Sequence, residues 1–196
     1  MKKIMFNEKY CLTTAVQRGL KTKTRRLVPD DTPVGNWEET LAKAHFKVGE
    51  IVAIAQCYRD VGFDPDMLQT TYVKGIGWVD KPISELPGWK NKMFTCADMM
   101  PLRIRITDVS MERLQDITDE DCLKEGVQEV SVSNNWGNSA THWEYRIPYE
   151  DSLGRTKLLR GATPREVFAI LIDRVSGRGT WDSNPYVFVY EFELLK

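Results

Sequence analysis

The sequence predicts an α+β protein built on a small, mostly antiparallel β-barrel decorated by helices. Strand-like segments are short and far apart in the 196-residue chain, and helix-like segments stand between them. The regular βαβ alternation of a doubly wound sheet is absent. With 42% hydrophobic and 10% aromatic residues, the chain can bury a sizeable core. Its length favours a single domain spanning residues 1–196.

The first half begins with a predicted strand at residues 3–7 and a helix at residues 9–19. Gly19 ends that helix, because glycine accepts the left-handed conformation common after a helix C-terminus. The stretch LKTKTRRLV then leads, as a turn, into an extended segment that its threonines favour. WEETLAKAHF predicts a short helix, and the apolar run at residues 51–55 predicts a buried strand.

The second half carries the clearest local signals. PLRIRITDVSMERL alternates apolar and polar residues with the period of a strand. ITDEDCLKEG predicts a helix that starts at the N-cap Thr118 and stops at Gly126. In TPREVFAILIDRVSG, Thr163 and Glu166 form the pattern of a capping box, with proline at the first helical position. PYVFVYEFELL predicts the last strand.

Two regions, residues 57–95 and 128–162, look like insertions into this framework. The first is punctuated by prolines and glycines, with TYVKGIGW as a possible extended piece. The second is polar and rich in turn signals such as NNWGNS and EDSLGR.

Composition excludes several classes of function. There are 27 Lys+Arg against 28 Asp+Glu, a net charge of -1, which argues against a wholly electrostatic nucleic-acid binder. MKKIMFNEKY lacks the apolar core of a signal peptide, and no apolar run approaches the roughly 20 residues of a membrane span. We therefore expect a cytoplasmic protein without a membrane partner. The four cysteines and two histidines are scattered, so we expect no metal site and no cofactor.

Residues 19–26, GLKTKTRR, stand out because this local positive charge is not inherited from the overall composition. Three interpretations are open at this point. The cations could belong to a solvated turn and edge strand, where they also oppose aggregation. They could bind phosphate, with hydroxyls as additional donors. They could also form a catalytic centre in which Lys21 acts beside a threonine hydroxyl.

Four stretches in their order along the chain resemble the ASCH-domain family: GLKTKTRR, KVGEIVAI, ITDVSMERLQDITDEDCLKEGV and WDSNPYVFVYEFELL. The resemblance touches the start, middle and end of the chain, over roughly half its length. It implies a PUA-like β-barrel with a cleft between barrel and helix. It also implies a longer member of bacterial or phage type, since the family includes many such proteins.

The resemblance implies two kinds of function. PUA-like domains bind RNA, whereas a short-chain branch of the family hydrolyses the amide of N4-acetylcytidine with a lysine, a threonine and a glutamate. Lys21, Thr24 and Glu125 match those three positions. Arg25 and Arg26 after the threonine, and the greater length of this chain, depart from that branch and leave the substrate open.

The binding hypothesis assigns a basic cleft to RNA or a modified nucleoside. Specific RNA recognition also uses aromatic side chains that stack on bases, and Trp181 lies in a predicted loop within a matching segment. The residues predicted to line the binding site are Lys21, Lys23, Arg25, Arg26, Trp181, Asp182 and Asn184.

We rank binding of RNA or a nucleoside first and amide hydrolysis of an N4-acylated cytidine, without a metal, second. A third hypothesis is a phage or mobile-element accessory protein whose insertions bind another protein. If the chain is a hydrolase, Lys21, Thr24 and Glu125 should share one solvent-accessible cleft near Trp181. A threonine hydroxyl is a poor nucleophile and needs a base within hydrogen-bond reach.

Overall fold

A computed structural model describes residues 1–133 and 141–195. The strands in chain order are β1 (Lys3–Ile4), β2 (Lys23–Leu27), β3 (Ile51–Ile54), β4 (Leu68–Val73), β5 (Gly77–Pro82), β6 (Arg103–Arg113), β7 (Gln128–Ser133), β8 (Thr141–Glu150), β9 (Thr156–Gly161) and β10 (Tyr186–Leu195). The α-helices are α1 (Leu12–Gln17), α2 (Trp37–Ala42), α3 (Tyr58–Val61), α4 (Asp119–Lys124), α5 (Pro164–Ser176) and α6 (Thr180–Ser183).

The mixed α and β character predicted from the sequence is confirmed. In the described part of the chain the ten strands form three sheets, and no closed barrel is found. Most of the pairings with a defined register are antiparallel, and the exception is the parallel pair β1–β3. No helix in the described ranges is long and apolar enough to cross a membrane.

The chain divides into two compact units, whereas the sequence favours one domain. Unit 1 comprises Met1–Phe6, Ile51–Ile104 and Leu195. It contains the β1–β3 pair and the antiparallel β4–β5 hairpin. Its core gathers around four buried side chains, those of Ala53, Tyr58, Ile83 and Met100. Most of the predicted insertion at residues 57–95 therefore folds together with β1 and β3, and the single-domain assignment stays a prediction.

Unit 2 comprises Asn7–Glu50 and Arg105–Leu194. In it β10 lies between β6 and β2. The β10–β2 pairing is antiparallel and sets Tyr190 opposite Thr24 and Glu191 opposite Lys23. A separate antiparallel sheet runs in the order β7–β8–β9, and α5 packs against β8, β9 and α4. These contacts place α4 next to β2, which carries the basic stretch.

Helix α5 begins as the sequence predicts. The Thr163 hydroxyl accepts a hydrogen bond from the Glu166 N–H at 3.2 Å, and the Glu166 carboxylate accepts one from the Ala162 N–H at 2.8 Å. Both bonds satisfy backbone donors that a helix N-terminus leaves open. Val167 and Phe168 are buried on the inner face of the helix, which anchors it in unit 2.

Three local expectations are wrong in detail. The region at residues 128–162 was expected to be polar and turn-rich, yet it forms β7, β8 and β9. Few of its side chains are buried, Ile147 and Leu159 among them, so its strands lack a strong hydrophobic pattern. Residues 134–140, including Trp136, lie outside the described residues.

The other two differences concern short elements. GTWDSNP was expected to be a loop but contains α6, too short for a helical period. The strand expected at residues 3–7 stops at Ile4, because the Asn7 side chain accepts from the Lys9 N–H and starts a 3-10 turn.

The capping box yields a stability prediction. Thr163→Ala should lower the free energy of unfolding by about 1 kcal/mol, because the Glu166 N–H loses its partner. For a chain of this size the melting temperature should fall by about 2–4 °C. Ser176→Ala is the matched control, because it removes an exposed hydroxyl at the other end of the same helix. Thermal unfolding followed by circular dichroism measures both, and equal melting temperatures for the two variants would contradict the assigned cap.

Candidate functional site

Strand β2 presents the basic stretch in two opposite directions. Successive strand residues point to opposite faces, so Lys23 and Arg25 share one face and Thr24 and Arg26 share the other. The register with β10 agrees, because Glu191 lies opposite Lys23 and the two side chains form an ion pair at 2.5 Å. The alternation of side-chain direction along β2 therefore turns Lys23 and Arg25, and not Arg26, toward α4.

Helix α4 supplies the carboxylates that face β2. The Thr118 hydroxyl caps it by accepting from the Asp121 N–H at 3.1 Å. Asp121 and Glu125 are four residues apart, a spacing that puts both on one face of a helix. Gly126 follows with a φ of 107°, a conformation that favours glycine, and this residue lets the chain turn away directly after Glu125.

Lys21 and Glu125 form the centre of the site. An isolated antiparallel bridge joins their backbones, although they are 104 residues apart. The Lys21 ammonium lies 2.5 Å from Glu125 Oε2 and also donates to the Glu125 carbonyl at 3.0 Å and the Lys23 carbonyl at 2.7 Å. The two side chains are only 1% and 4% exposed, so both charges have been removed from water.

Arg25 holds the other oxygen of the same carboxylate. Its guanidinium donates to Glu125 Oε1 at 3.1 Å, to Asp121 at 2.8 Å and to Glu112 at 2.8 Å. The Arg25 side chain is 1% exposed. A planar guanidinium suits this task because it presents several donors in a fixed geometry. Arg25 thereby joins β2 to the end of β6, to Asp121 of α4 and to Glu125 directly after that helix.

Lys23 completes the cluster at its outer side. Its ammonium lies 2.9 Å from Asp121 and 2.5 Å from Glu191. We call the seven side chains the ion cluster: Lys21, Lys23, Arg25, Glu112, Asp121, Glu125 and Glu191. Three cations face four carboxylates, which gives a formal charge of -1. The basic stretch is thus balanced by acids from three other elements.

Burial and ion pairing shift the pKa values of the cluster in opposite directions. Burial lowers the pKa of Lys21, and the attraction of Glu125 only partly offsets it. Burial acts to raise the pKa of Asp121, but hydrogen bonds from Lys23 and Arg25 and their charges lower it below 3.8. Lysines with a lowered pKa are typical of sites that move protons, although structural ion pairs also perturb pKa values.

Thr24 does not join Lys21 and Glu125, so the shared cleft expected of a hydrolase that uses all three side chains is not formed. Thr24 is buried on the opposite face of β2, beside Tyr190 of β10, whose hydroxyl accepts from the His45 N–H at 3.0 Å. Arg26 lies on the same face, half-buried, and burial lowers its pKa.

Trp181, Asp182 and Asn184 lie in and after α6, where the described contacts link them to other neighbours. The Trp181 ring is half-buried, 6.2 Å from the Phe168 ring and 5.3 Å from the Arg165 guanidinium. Asn184 ends α6 with a φ of 44°, and its side chain accepts from the Gln115 N–H at 2.8 Å. Asp182 is exposed. Their predicted roles in binding stay predictions.

A cavity of about 470 Å³ is lined by the chain on either side of Lys21 and of Glu125, and its lining includes neither of these two residues. Its lining comes from residues that flank the pair in sequence: Gly19, Leu20, Thr22, Leu123, Lys124, Val127, Gln128, Glu129 and Val130. This volume lies in the range of small-molecule sites, and the mixture of aliphatic and polar side chains is typical of them. In the described part of the chain, no three His, Cys, Asp or Glu side chains are placed to hold a metal ion.

Sequence analysis missed the carboxylates that pair with Lys23 and Arg25. Glu112, Asp121 and Glu191 come from three separate elements, and only the spacing of Asp121 and Glu125 on one helix gave a local signal.

Comparisons of the chain with models of known protein families, with curated proteins and with solved structures find no match. The function therefore has to be argued from the geometry of the site.

The lowered pKa of Asp121 leads to a pH-dependent prediction. Asp121→Asn should lower the free energy of unfolding by about 1–3 kcal/mol near neutral pH, because Lys23 and Arg25 lose a shared ionised partner. A carboxylate whose folded pKa is depressed contributes stability above its unfolded pKa and loses it as pH falls through the folded value. The deficit of the variant should therefore shrink below about pH 4.

Urea unfolding of both proteins between about pH 7 and pH 3 measures this deficit. Asp119→Asn is the matched control, since Asp119 is exposed in the first turn of the same helix. A deficit for Asp121→Asn that stays constant down to the lowest pH, or one no larger than that of Asp119→Asn, would contradict the assigned role.

Proposed function

We propose that this chain is an ASCH-type, PUA-like protein that hydrolyses the exocyclic amide of an N4-acylated cytidine-type nucleoside. The observation that carries the proposal is the buried ion pair of Lys21 and Glu125, 2.5 Å apart. Both residues match the positions that the family resemblance assigns to catalysis. A random pair of surface charges would have no reason to meet in the interior, 104 residues apart in sequence.

Amide hydrolysis requires two proton movements that such a pair can supply. An attacking water loses a proton as its oxygen bonds to the acyl carbon; then the C–N bond breaks and the leaving nitrogen gains a proton. Lys21 in its neutral form can accept the first proton, since its pKa is lowered by burial. Glu125, in hydrogen-bond contact with that amine, can take this proton over and pass it to the leaving nitrogen as the C–N bond breaks.

The proposal gives Thr24 no chemical role. The resemblance implies a threonine at this position, but strand alternation turns Thr24 toward Tyr190 and away from α4. Water is therefore the attacking group in this scheme, and the products are a carboxylic acid and the free amine. Lys21 and Glu125 carry the proton transfers.

Charge balance favours a neutral nucleoside over an RNA phosphate backbone. Three of the four cations expected to form a basic cleft, Lys21, Lys23 and Arg25, are paired within the ion cluster, where carboxylates outnumber them. A phosphate would meet a region with a formal charge of -1. The cavity whose lining flanks the pair in sequence supports a small ligand instead, with Leu20 and Val127 offering apolar contact and Gln128 offering an amide for base edges.

The test is incubation of the purified chain with N4-acetylcytidine, following release of acetate and cytidine. Lys21→Arg keeps a cation opposite Glu125 but cannot lose its proton near neutral pH. The rate should fall by about 10²–10⁴-fold in Lys21→Arg and in Glu125→Gln, the range typical of a lost acid or base. Activity of the parent chain should rise with pH as the Lys21 amine loses its proton.

Lys43→Arg is the matched control, because Lys43 is an exposed lysine of unit 2 that lines neither the cavity nor the ion cluster. It should retain the parent rate, and thermal unfolding should show that all variants are folded. Failure of the folded parent chain to release acetate, or full activity in Lys21→Arg, would refute the proposal.

A further inference from the structure

The β4–β5 hairpin of unit 1 carries an apolar face that nothing in the described structure covers. The register sets Leu68 opposite Pro82, Thr70 opposite Asp80 and Tyr72 opposite Trp78. Directly opposite residues point to the same side of a two-stranded sheet. We call Leu68, Thr70, Tyr72, Trp78 and Asp80 the hairpin face, and all five are exposed.

The exposure of the large side chains is high for a folded protein. Trp78 is 74% exposed and Tyr72 61%, and their rings meet edge to face at 5.5 Å. Leu68 at the base is 63% exposed, and Ile76 in the turn at the tip is 75% exposed. Contiguous apolar patches of this kind mark interaction surfaces. Tyr and Trp are also the residues most enriched at the centre of protein interfaces.

The charges along the hairpin are arranged to complement a second copy. Lys74 stands in the turn at the tip, two residues beyond Tyr72, while Asp80 stands two residues toward the base from Trp78. The aromatic row therefore lies between a cation in the turn at the tip and an anion nearer the base, and Asp80 is roughly 7 Å from Trp78 along the strand. Lys81, the other cation of the hairpin, belongs to the opposite face by strand alternation.

We propose that the hairpin face is a dimerisation surface, on which the same face of a second copy packs in antiparallel orientation. A two-fold axis across the aromatic row stacks the Tyr72 and Trp78 rings of the two copies against each other. It also brings the tip of each hairpin over the base of the other, so that Lys74 approaches Asp80 twice. Asp80 is available for this contact on its second oxygen, since its Oδ1 accepts from the Thr70 hydroxyl at 2.6 Å.

The size of the face sets the expected strength. An aromatic side chain buries roughly 150–250 Å², so the exposed parts of these two rings offer roughly 200–350 Å² per copy. With the aliphatic residues beside them the contact falls at the low end of specific interfaces, below about 1,200 Å² in total. The dimer should be weak, with a Kd on the order of 10–100 µM.

Sedimentation velocity of the full chain from about 1 to about 300 µM tests the proposal. The parent chain should shift from monomer to dimer across this range. Trp78→Ser should weaken association by about tenfold or more. Trp143→Ser is the matched control, because Trp143 is a 60% exposed tryptophan on β8 of unit 2 and should leave the Kd unchanged.

Charge reversal tests the orientation. Lys74→Glu and Asp80→Lys should each weaken association by roughly tenfold, because each breaks two symmetry-related pairs. The double variant Lys74→Glu/Asp80→Lys should recover most of the lost affinity, since the pairs are re-formed with reversed sign. Thermal unfolding confirms that each variant is folded.

Three results would overturn the dimer. One is a parent chain that stays monomeric at the highest concentration. Another is a Trp78→Ser variant that associates as tightly as Trp143→Ser. The third is binding of an oligouridine probe that Trp78→Ser abolishes while the parent chain remains monomeric, which would assign the rings to base stacking. All three are independent of hydrolysis, because the hairpin shares no residue with the ion cluster.

Discussion

The structure of unit 2 depends on satisfying charges that have been removed from water. Lys21, Arg25 and Glu125 are nearly inaccessible, and an ion placed in such surroundings without a partner costs several kcal/mol. Lys21 is held by Glu125 and two backbone carbonyls, Glu125 by Lys21 and Arg25, and Arg25 by three carboxylates. Together with the Lys23–Glu191 pair, these contacts join β2, the end of β6, α4 and β10. The positions of these four elements are fixed together, because shifting any one would expose or orphan a charge.

Local sequence signals predicted the elements whose own residues mark their ends or their buried face. Helix α5 has its cap, capping box and terminal glycine, and β6 and β10 have clear apolar alternation. The sheet β7–β8–β9 was missed because its strands are largely polar, with Ile147 and Leu159 as isolated buried residues. Its stability comes from pairing between strands and from α5, and neither leaves a pattern within one short segment.

The structure brings Lys21 and Glu125 into contact, and their assignment as site residues stays a prediction. Lys21 and Glu125 were singled out through the family resemblance, whereas Glu112 and Asp121 follow only from tertiary contacts across 87 and 96 residues. The orientation of Thr24 could have been anticipated. If Lys23 and Arg25 face one way on an extended strand, Thr24 must face the other, and a single cleft cannot receive all of these side chains.

The choice of charged residues at the centre of unit 2 is itself an argument about function. A buried ion pair can often be replaced by well-packed apolar residues with no loss of stability, or with a gain. Stability alone therefore does not account for an ammonium and a carboxylate at the Lys21–Glu125 bridge, because a pair of leucines could stabilise the fold equally well. Apolar residues cannot exchange protons, whereas the Lys21 ammonium and the Glu125 carboxylate can, and burial lowers the pKa of the lysine. In the proposed hydrolysis, Arg25 would keep Glu125 paired on its second oxygen while Lys21 changes its protonation state.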